Sequence, residues 1–226
     1  HGLTGQPASM VFHSRTHGIL ATTSGELFRT TDGGFNWVVI PGVSAGGNTR
    51  LERYGNYTIG YKSATGFILS TDNGDSWQQV NFTGVIPGPN YMKIMGGKIY
   101  ISTGSGWYYI ANIDGTITYS ENTGSSLQAK MFAFPNEHEV WAAQGTAGTV
   151  KVSAPGSGVW NETSFPCKES EFSGVFESFN GQILVAGYDV YNFFSLMMLK
   201  NPGSRFSVRT ARLPGNYRIS AVRIIN

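Results

Sequence analysis

Apolar and polar positions along this chain alternate over short runs of strand length, and no stretch keeps the spacing of an amphipathic helix. Gly or Pro breaks the pattern at nearly every ten residues, which predicts strands joined by tight turns. The runs fall into groups of four. The first is Ser9–Ser14, Gly18–Thr23, Glu26–Asp32 and Asn36–Pro41; the second is Thr49–Tyr54, Tyr57–Ser63, Gly66–Asp72 and Ser76–Phe82. The third is Tyr91–Met95, Lys98–Thr103, Thr116–Asn122 and Leu127–Met131, with an insertion inside it. Phe132–Pro135, Glu139–Gln144, Thr149–Ala154 and Val159–Phe165 make the fourth. The fifth is Phe172–Phe179, Gln182–Tyr188, Phe193–Lys200 and Arg205–Arg212, and Tyr217–Ile225 is left over.

A motif falls in step with these groups. Thr30-Thr31-Asp32-Gly33-Gly34-Phe35-Asn36-Trp37 and Ser70-Thr71-Asp72-Asn73-Gly74-Asp75-Ser76-Trp77 share Ser/Thr-x-Asp-x-Gly-x-x-Trp, 40 residues apart. A recurrence at that interval marks a repeat architecture. The Asp can accept hydrogen bonds from the turn that follows it, the Gly supplies a backbone conformation other residues resist, and the Trp lays an apolar ring against the sheet. Weaker copies start at Ser120 (Asn122, Gly124, Leu127), Ser153 (Pro155 in the Asp position, Trp160) and Leu199 (Asn201, Gly203, Phe206).

On these residues the chain resembles the Asp-box, or BNR-repeat, β-propellers. The fold expected is all-β: a single propeller domain over residues 1–226, with five four-stranded blades. Tyr217–Ile225 would close the ring or begin a sixth blade. In that arrangement every box sits on the turn between the third and fourth strands of its blade.

Composition narrows the function. The 226 residues include 30 Gly and only 13% charged residues, with a net charge of +2 and no basic run, which argues against a nucleic-acid partner. The single cysteine, Cys167, excludes an internal disulfide framework and reads as a buried, inert thiol. No apolar stretch approaches the ~20 residues of a membrane helix, so membrane insertion is not expected. The chain starts at His1 without Met or a signal-peptide pattern, and is read as a fragment or processed part of a larger protein, through which any oligomer would form. Asn56-Tyr57-Thr58, Asn81-Phe82-Thr83 and Asn161-Glu162-Thr163 are formal glycosylation sequons.

Candidate binding residues follow from the alternation of strand direction. Turns between strands one and two and between three and four share one face, which the boxes mark as structural. Turns between strands two and three share the other face, and loops on a rigid scaffold carry most recognition. There the third group is expected to swell into a loop from Gly104 to Gly115 holding Trp107, Tyr108, Tyr109 and Asp114. The fifth holds Tyr188, Asp189 and Tyr191. Rings among Gly, Ser and Asn suit a recognition surface, including one for sugars. Equally open on the residues alone is that the rings fill the space between sheets.

Catalysis finds little support. The sialidases that share the Asp-box fold carry an Arg-Ile-Pro motif near the start, an arginine triad, a Tyr/Glu pair and an acid/base Asp. This chain has no Arg-Ile-Pro, and Tyr217-Arg218-Ile219-Ser220 is the nearest string. Asp114, Asp189, Glu169 and Glu171 have no spacing that compels the paired carboxyls of a glycosidase. His13 and His17 lie four apart, but in a hairpin pattern rather than a helix, and His138 and Cys167 are distant, so no zinc site is expected. Asp72-Asn73-Gly74-Asp75 lacks the oxygen series and closing Glu of an EF-hand. No cofactor is expected; calcium in another oxygen-rich loop stays open.

Two classes of function are left. The first is a non-catalytic extracellular or virion-surface recognition domain, such as the head of a viral or phage spike or an adhesin, whose partner is a cell-surface glycan or receptor. The alternative is a protein-docking scaffold, as in the Asp-box propellers that resemble photosystem assembly factors or sorting receptors. A sialidase-type glycoside hydrolase comes third.

Overall fold

The computed structural model describes residues 3, 5–47, 49–63, 65–122, 131–143, 149–164, 170–171, 177–179, 182–189 and 195–200. Every regular element among them is a β-strand. β1 (Pro7–Phe12), β2 (Gly18–Thr22), β3 (Glu26–Thr30) and β4 (Val38–Ser44) pair antiparallel in chain order, as do β5 (Leu51–Tyr54), β6 (Tyr57–Ser63), β7 (Gly66–Ser70) and β8 (Gln78–Asn81). β9 (Pro89–Met95), β10 (Lys98–Thr103), β11 (Trp107–Asn112) and β12 (Ile117–Asn122) form a third four-stranded sheet. β13 (Met131–Asn136), β14 (Glu139–Ala143), β15 (Thr149–Ser153) and β16 (Asn161–Ser164) form a fourth. In the fifth, β17 (Ser170–Glu171) and β18 (Glu177–Phe179) each pair with β19 (Gln182–Asp189), which also pairs along its length with β20 (Ser195–Lys200). The chain divides into two compact units: residues 1–101 with 109–119, and residues 102–108 with those from 120 onward.

The middle strands are buried and the outer ones half-exposed. Gly18–Thr22 and Gly66–Ser70 are buried at every position, whereas β4 and β8 show no fully buried residue. In the first unit Ile19, Ala21, Leu27, Ala45, Leu51 and Ile68 form a core cluster drawn from the first two sheets, with Trp77 packed against it. The box turn thus does more than reverse the chain, since its ring seals one sheet to the next.

Both strong boxes fold alike. Asp32 Oδ1 accepts the Asn36 N–H (2.9 Å) and the Thr30 hydroxyl (2.8 Å), and Thr30 Oγ1 accepts the Gly34 N–H (2.9 Å). Asp72 Oδ1 accepts the Ser76 N–H (2.9 Å) and the Ser70 hydroxyl (2.8 Å), and Ser70 Oγ accepts the Gly74 N–H (2.8 Å). Two consecutive residues are left-handed in each turn, Gly33 and Gly34 (φ 77° and 94°) and Asn73 and Gly74 (φ 63° and 92°). Asn is the non-Gly residue best suited to that region, which explains Asn73. Each turn is also stitched to the turn between the first two strands of its sheet: Gly33 N–H donates to Thr16 O (2.9 Å) and Asn73 N–H to Asn56 O (3.0 Å).

These bonds make a prediction about acid. The Asn36 N–H, then its side-chain amide, hold the Asp32 carboxyl down at about 2. The Ser76 hydroxyl and N–H depress Asp72, and the Thr116 N–H depresses Asp114. A carboxyl whose pKa is lower folded than unfolded stabilises the fold fully above its unfolded value and loses that contribution as pH falls. Thermal melts should therefore hold level above about pH 5 and then fall steeply between about pH 4 and pH 2. Asp32→Asn and Asp72→Asn should flatten that fall; an unchanged slope in the double variant would disprove the assignment.

The third group departs from expectation. Residues 104–115 are not an inserted loop, because Trp107–Asn112 is the third strand of its sheet. The local cause is a tight turn, in which Thr103 Oγ1 lies 2.9 Å from Ser105 Oγ and accepts the Trp107 N–H at 3.3 Å. Thr22-Thr23-Ser24-Gly25-Glu26 makes the same turn, with Thr22 Oγ1 2.8 Å from Ser24 Oγ and accepting the Glu26 N–H at 3.2 Å. Ser63 and Thr65 repeat the hydroxyl pair at 2.9 Å. The weak motif copy at Ser120 consequently does not join strands three and four: Ser120–Asn122 ends the fourth strand, and the third-to-fourth turn is Ile113–Thr116. The copy at Ser153 does join β15 to β16, as expected. Arg205–Arg212, Tyr217–Ile225 and most of the copy at Leu199 lie outside the described residues.

Candidate functional site

Two of the sequence-predicted site residues, Tyr108 and Tyr109, lie in the core and not on a surface. Trp107 opens β11 half-buried, while Tyr108 and Tyr109 are buried in the same strand. Tyr108 packs its ring near Phe132, Phe134 and Trp160 (centroids 5.8, 6.3 and 6.1 Å) and donates its hydroxyl to Glu121 Oε2 at 2.9 Å. Glu121 Oε1 accepts the Trp160 indole N–H at 2.9 Å. Here the inter-sheet filling reading of the rings is the correct one for Tyr108. Burial also pushes the Tyr109 hydroxyl up. Asp114 is exposed on the β11–β12 turn and braces it by accepting the Thr116 N–H (2.8 Å). Tyr188 and Asp189 belong to the end of β19, opposite Glu171 and Ser170, and Tyr191 lies outside the described residues.

A pocket opens instead beside the turns expected to be purely structural. It has a volume of about 310 Å³ and is lined by His13, Ser14, His17, Gly18, Ile19, Arg29, Thr30, Asn73 and Asp75, all in the first unit. Three local structures build it. The β1–β2 turn is closed by His13 N–H donating to His17 O (2.8 Å), and Ser14 Oγ accepts the N–H groups of Thr16 (3.2 Å) and His17 (3.0 Å). β3 contributes Arg29, and the second box contributes Asn73 and Asp75 from its left-handed turn.

Its electrostatics are mixed. Arg29 Nη1 donates to Asp75 Oδ1 at 3.1 Å, and both side chains are substantially exposed (44% and 70%), so this pair holds weakly. His13 Nε2 lies 2.8 Å from Thr58 Oγ1. Thr58 is fully buried and its hydroxyl has no other acceptor among the described residues, so Thr58 donates and the neutral ring carries its proton on Nδ1. Burial, then the nearby Arg53 guanidinium, keep His13 below the ordinary histidine range, so the ring is neutral near pH 7. Nδ1 is buried and has no hydrogen-bond partner; the Asn73 side chain lies beside the ring and favours its charged form without closing a bond to Nδ1. No group of three or more His, Cys, Asp or Glu among the described residues is arranged to hold a metal ion.

From the residues alone His13 and His17 are no more than weak metal candidates, Asp72–Asp75 a turn motif without an EF-hand series, and Arg29 carries no signal. The usable signal is the motif turn itself, whose Asp75 reaches Arg29 of the neighbouring sheet.

No family model matches the sequence and no curated protein matches it. Solved structures do resemble the fold. A structure of YCF48 bound to a D1 peptide is 21% identical with a TM-score of 0.64, covering 91% of this chain and 69% of that one. Virginiamycin B lyase from Staphylococcus aureus is 12% identical with a TM-score of 0.67, covering 97% and 74%. The GH74 enzyme of Niastella koreensis is 20% identical with a TM-score of 0.60, covering 92% of this chain and 32% of its own. At these identities the likeness carries the fold and nothing finer: the chain is an all-β protein of the β-propeller class.

Proposed function

We propose that this chain is a non-catalytic docking propeller of the Asp-box type, which holds a segment of another protein against the turn side of its first two sheets. The observation that carries this reading is the pocket at the β1–β2 turn, where polar side chains on hydrogen-bonded turns surround a space sized for one or two side chains. Preorganised turns lower the ordering cost of binding. The YCF48 structure with its bound peptide supports protein segments as partners for such a fold. The matched hydrogen bonds of the Thr30 and Ser70 turns support the Asp-box assignment. The glycan-binding head loses its main support, because Tyr108 and Tyr109 are buried.

Selection of a displayed peptide library on the purified chain tests this. Mutually competing peptides should emerge, and His17→Ala should weaken them at least tenfold without lowering the melting temperature appreciably. Retention on a glycan array with no peptide selected, or hydrolysis of a sialoside, would overturn the proposal.

A further inference from the structure

We infer that the pocket at the β1–β2 turn is a receptor for a carboxylate, namely the acidic side chain of a docked protein segment, with Asp75 standing in for that carboxylate while the pocket is empty. This rests on the docking proposal for its source of ligand, but not for its chemistry.

Donors outnumber acceptors around the pocket. Arg29 uses one N–H on Asp75 and has no other partner among the described residues, although a guanidinium offers five donors. His13 Nδ1 is buried with no partner within bonding distance, although the Asn73 side chain lies beside the ring, and an unpartnered buried ring nitrogen calls for an explanation. Asp75 is the only acidic residue lining the pocket, and it is already committed to Arg29. Arg53, close enough to depress His13, adds positive potential.

An ammonium ligand finds the opposite environment, since its only charged acceptor would be Asp75, with Arg29 and Arg53 repelling it. A carboxylate can take the unused edge of Arg29 and approach the His13 side of the pocket. Exposure of the Arg29–Asp75 pair makes the exchange inexpensive, because little free energy is lost when Asp75 swings out to water. The volume of about 310 Å³ is at the low end for ligand pockets and suits one side chain better than a cofactor.

The test is a titration of the full chain with N-acetylglutamate α-amide near neutral pH, following the ring resonances of His13 by NMR. N-acetylglutamine α-amide, N-acetyllysine α-amide and inorganic phosphate serve as the comparison probes. Saturable shifts are expected with the glutamate probe and not with the glutamine or lysine probes. Arg29→Gln should weaken it about tenfold, the loss of one charge-assisted contact. Asp75→Asn should tighten it several-fold, by removing the competitor. The inference is overturned if the glutamine probe binds equally, if Asp75→Asn weakens binding, or if the lysine probe is preferred. Saturation by phosphate alone would contradict the acidic side chain as source.

Selected peptides keep the two proposals apart. If they bind but Arg29→Gln and Asp75→Asn leave their affinity unchanged, docking stands and the carboxylate receptor falls. If no peptide binds while the glutamate probe still saturates, docking alone falls.

Discussion

Tyr108→Ala will cost about 3–5 kcal/mol of stability, the range for deleting a fully buried aromatic ring. Tyr108 is 0% exposed, and three aromatic rings, Phe132, Phe134 and Trp160, have centroids within 6.3 Å of it. That space does not collapse easily, since Phe132 and Phe134 are themselves buried and stacked at 7° to one another. Tyr108→Phe separates the two contributions. It keeps the ring and removes only the bond to Glu121 Oε2, so the loss should be about 1 kcal/mol. Urea denaturation of the three proteins measures both. If Tyr108→Ala unfolds within 1 kcal/mol of the parent while binding is lost, the ring belongs to a recognition surface and its placement in the core is wrong.

Gly74→Ala will cost about 2–5 kcal/mol, from two sources. Gly74 has φ 92°, where an L-residue is strained by about 1–2 kcal/mol. A Cβ there would also lie 2.4 Å from Ile19 Cδ1 and 2.7 Å from Ile19 Cγ1, and Ile19 is 1% exposed in the first sheet. Relieving that overlap adds about 1–3 kcal/mol. Gly55→Ala is the control: it shares the left-handed backbone (φ 58°) but a Cβ there meets nothing within 4 Å, so only the backbone strain should appear. Equal losses at both positions in denaturant melts would mean that the second box does not press on the first sheet.

The strong boxes were legible because their chemistry is local. Thr30, Asp32, Gly34 and Asn36 bond to one another within seven residues, and so do Ser70, Asp72, Gly74 and Ser76, so the turn could be read before any sheet was placed. Their energetics were less so. Trp37 and Trp77 are half-buried rather than buried, and Trp77 shares its role between the core cluster and a bond from its indole N–H to Gly74 O (3.0 Å). The third sheet was misread because another local signal went unrecognised. Thr103-Gly104-Ser105-Gly106-Trp107 repeats Thr22-Thr23-Ser24-Gly25-Glu26 in type and hydrogen bonding, and it turns the chain straight back into β11. Without it, Trp107, Tyr108 and Tyr109 looked like loop residues rich in binding chemistry. The pocket was not legible at all, since it needs Arg29 of one sheet beside Asp75 of the next, 46 residues on. No alternation or motif predicts that meeting.

On the docking proposal, recognition lies with the β1–β2 turn and the second box, not with the Trp107–Asp114 segment. Amide NMR of the chain saturated with a selected peptide distinguishes the two. The shifts should gather on His13–His17, Arg29 and Asn73–Asp75, leaving Trp107–Asp114 unmoved. Shifts confined to Trp107–Asp114, with the His13–His17 turn unchanged, would overturn it.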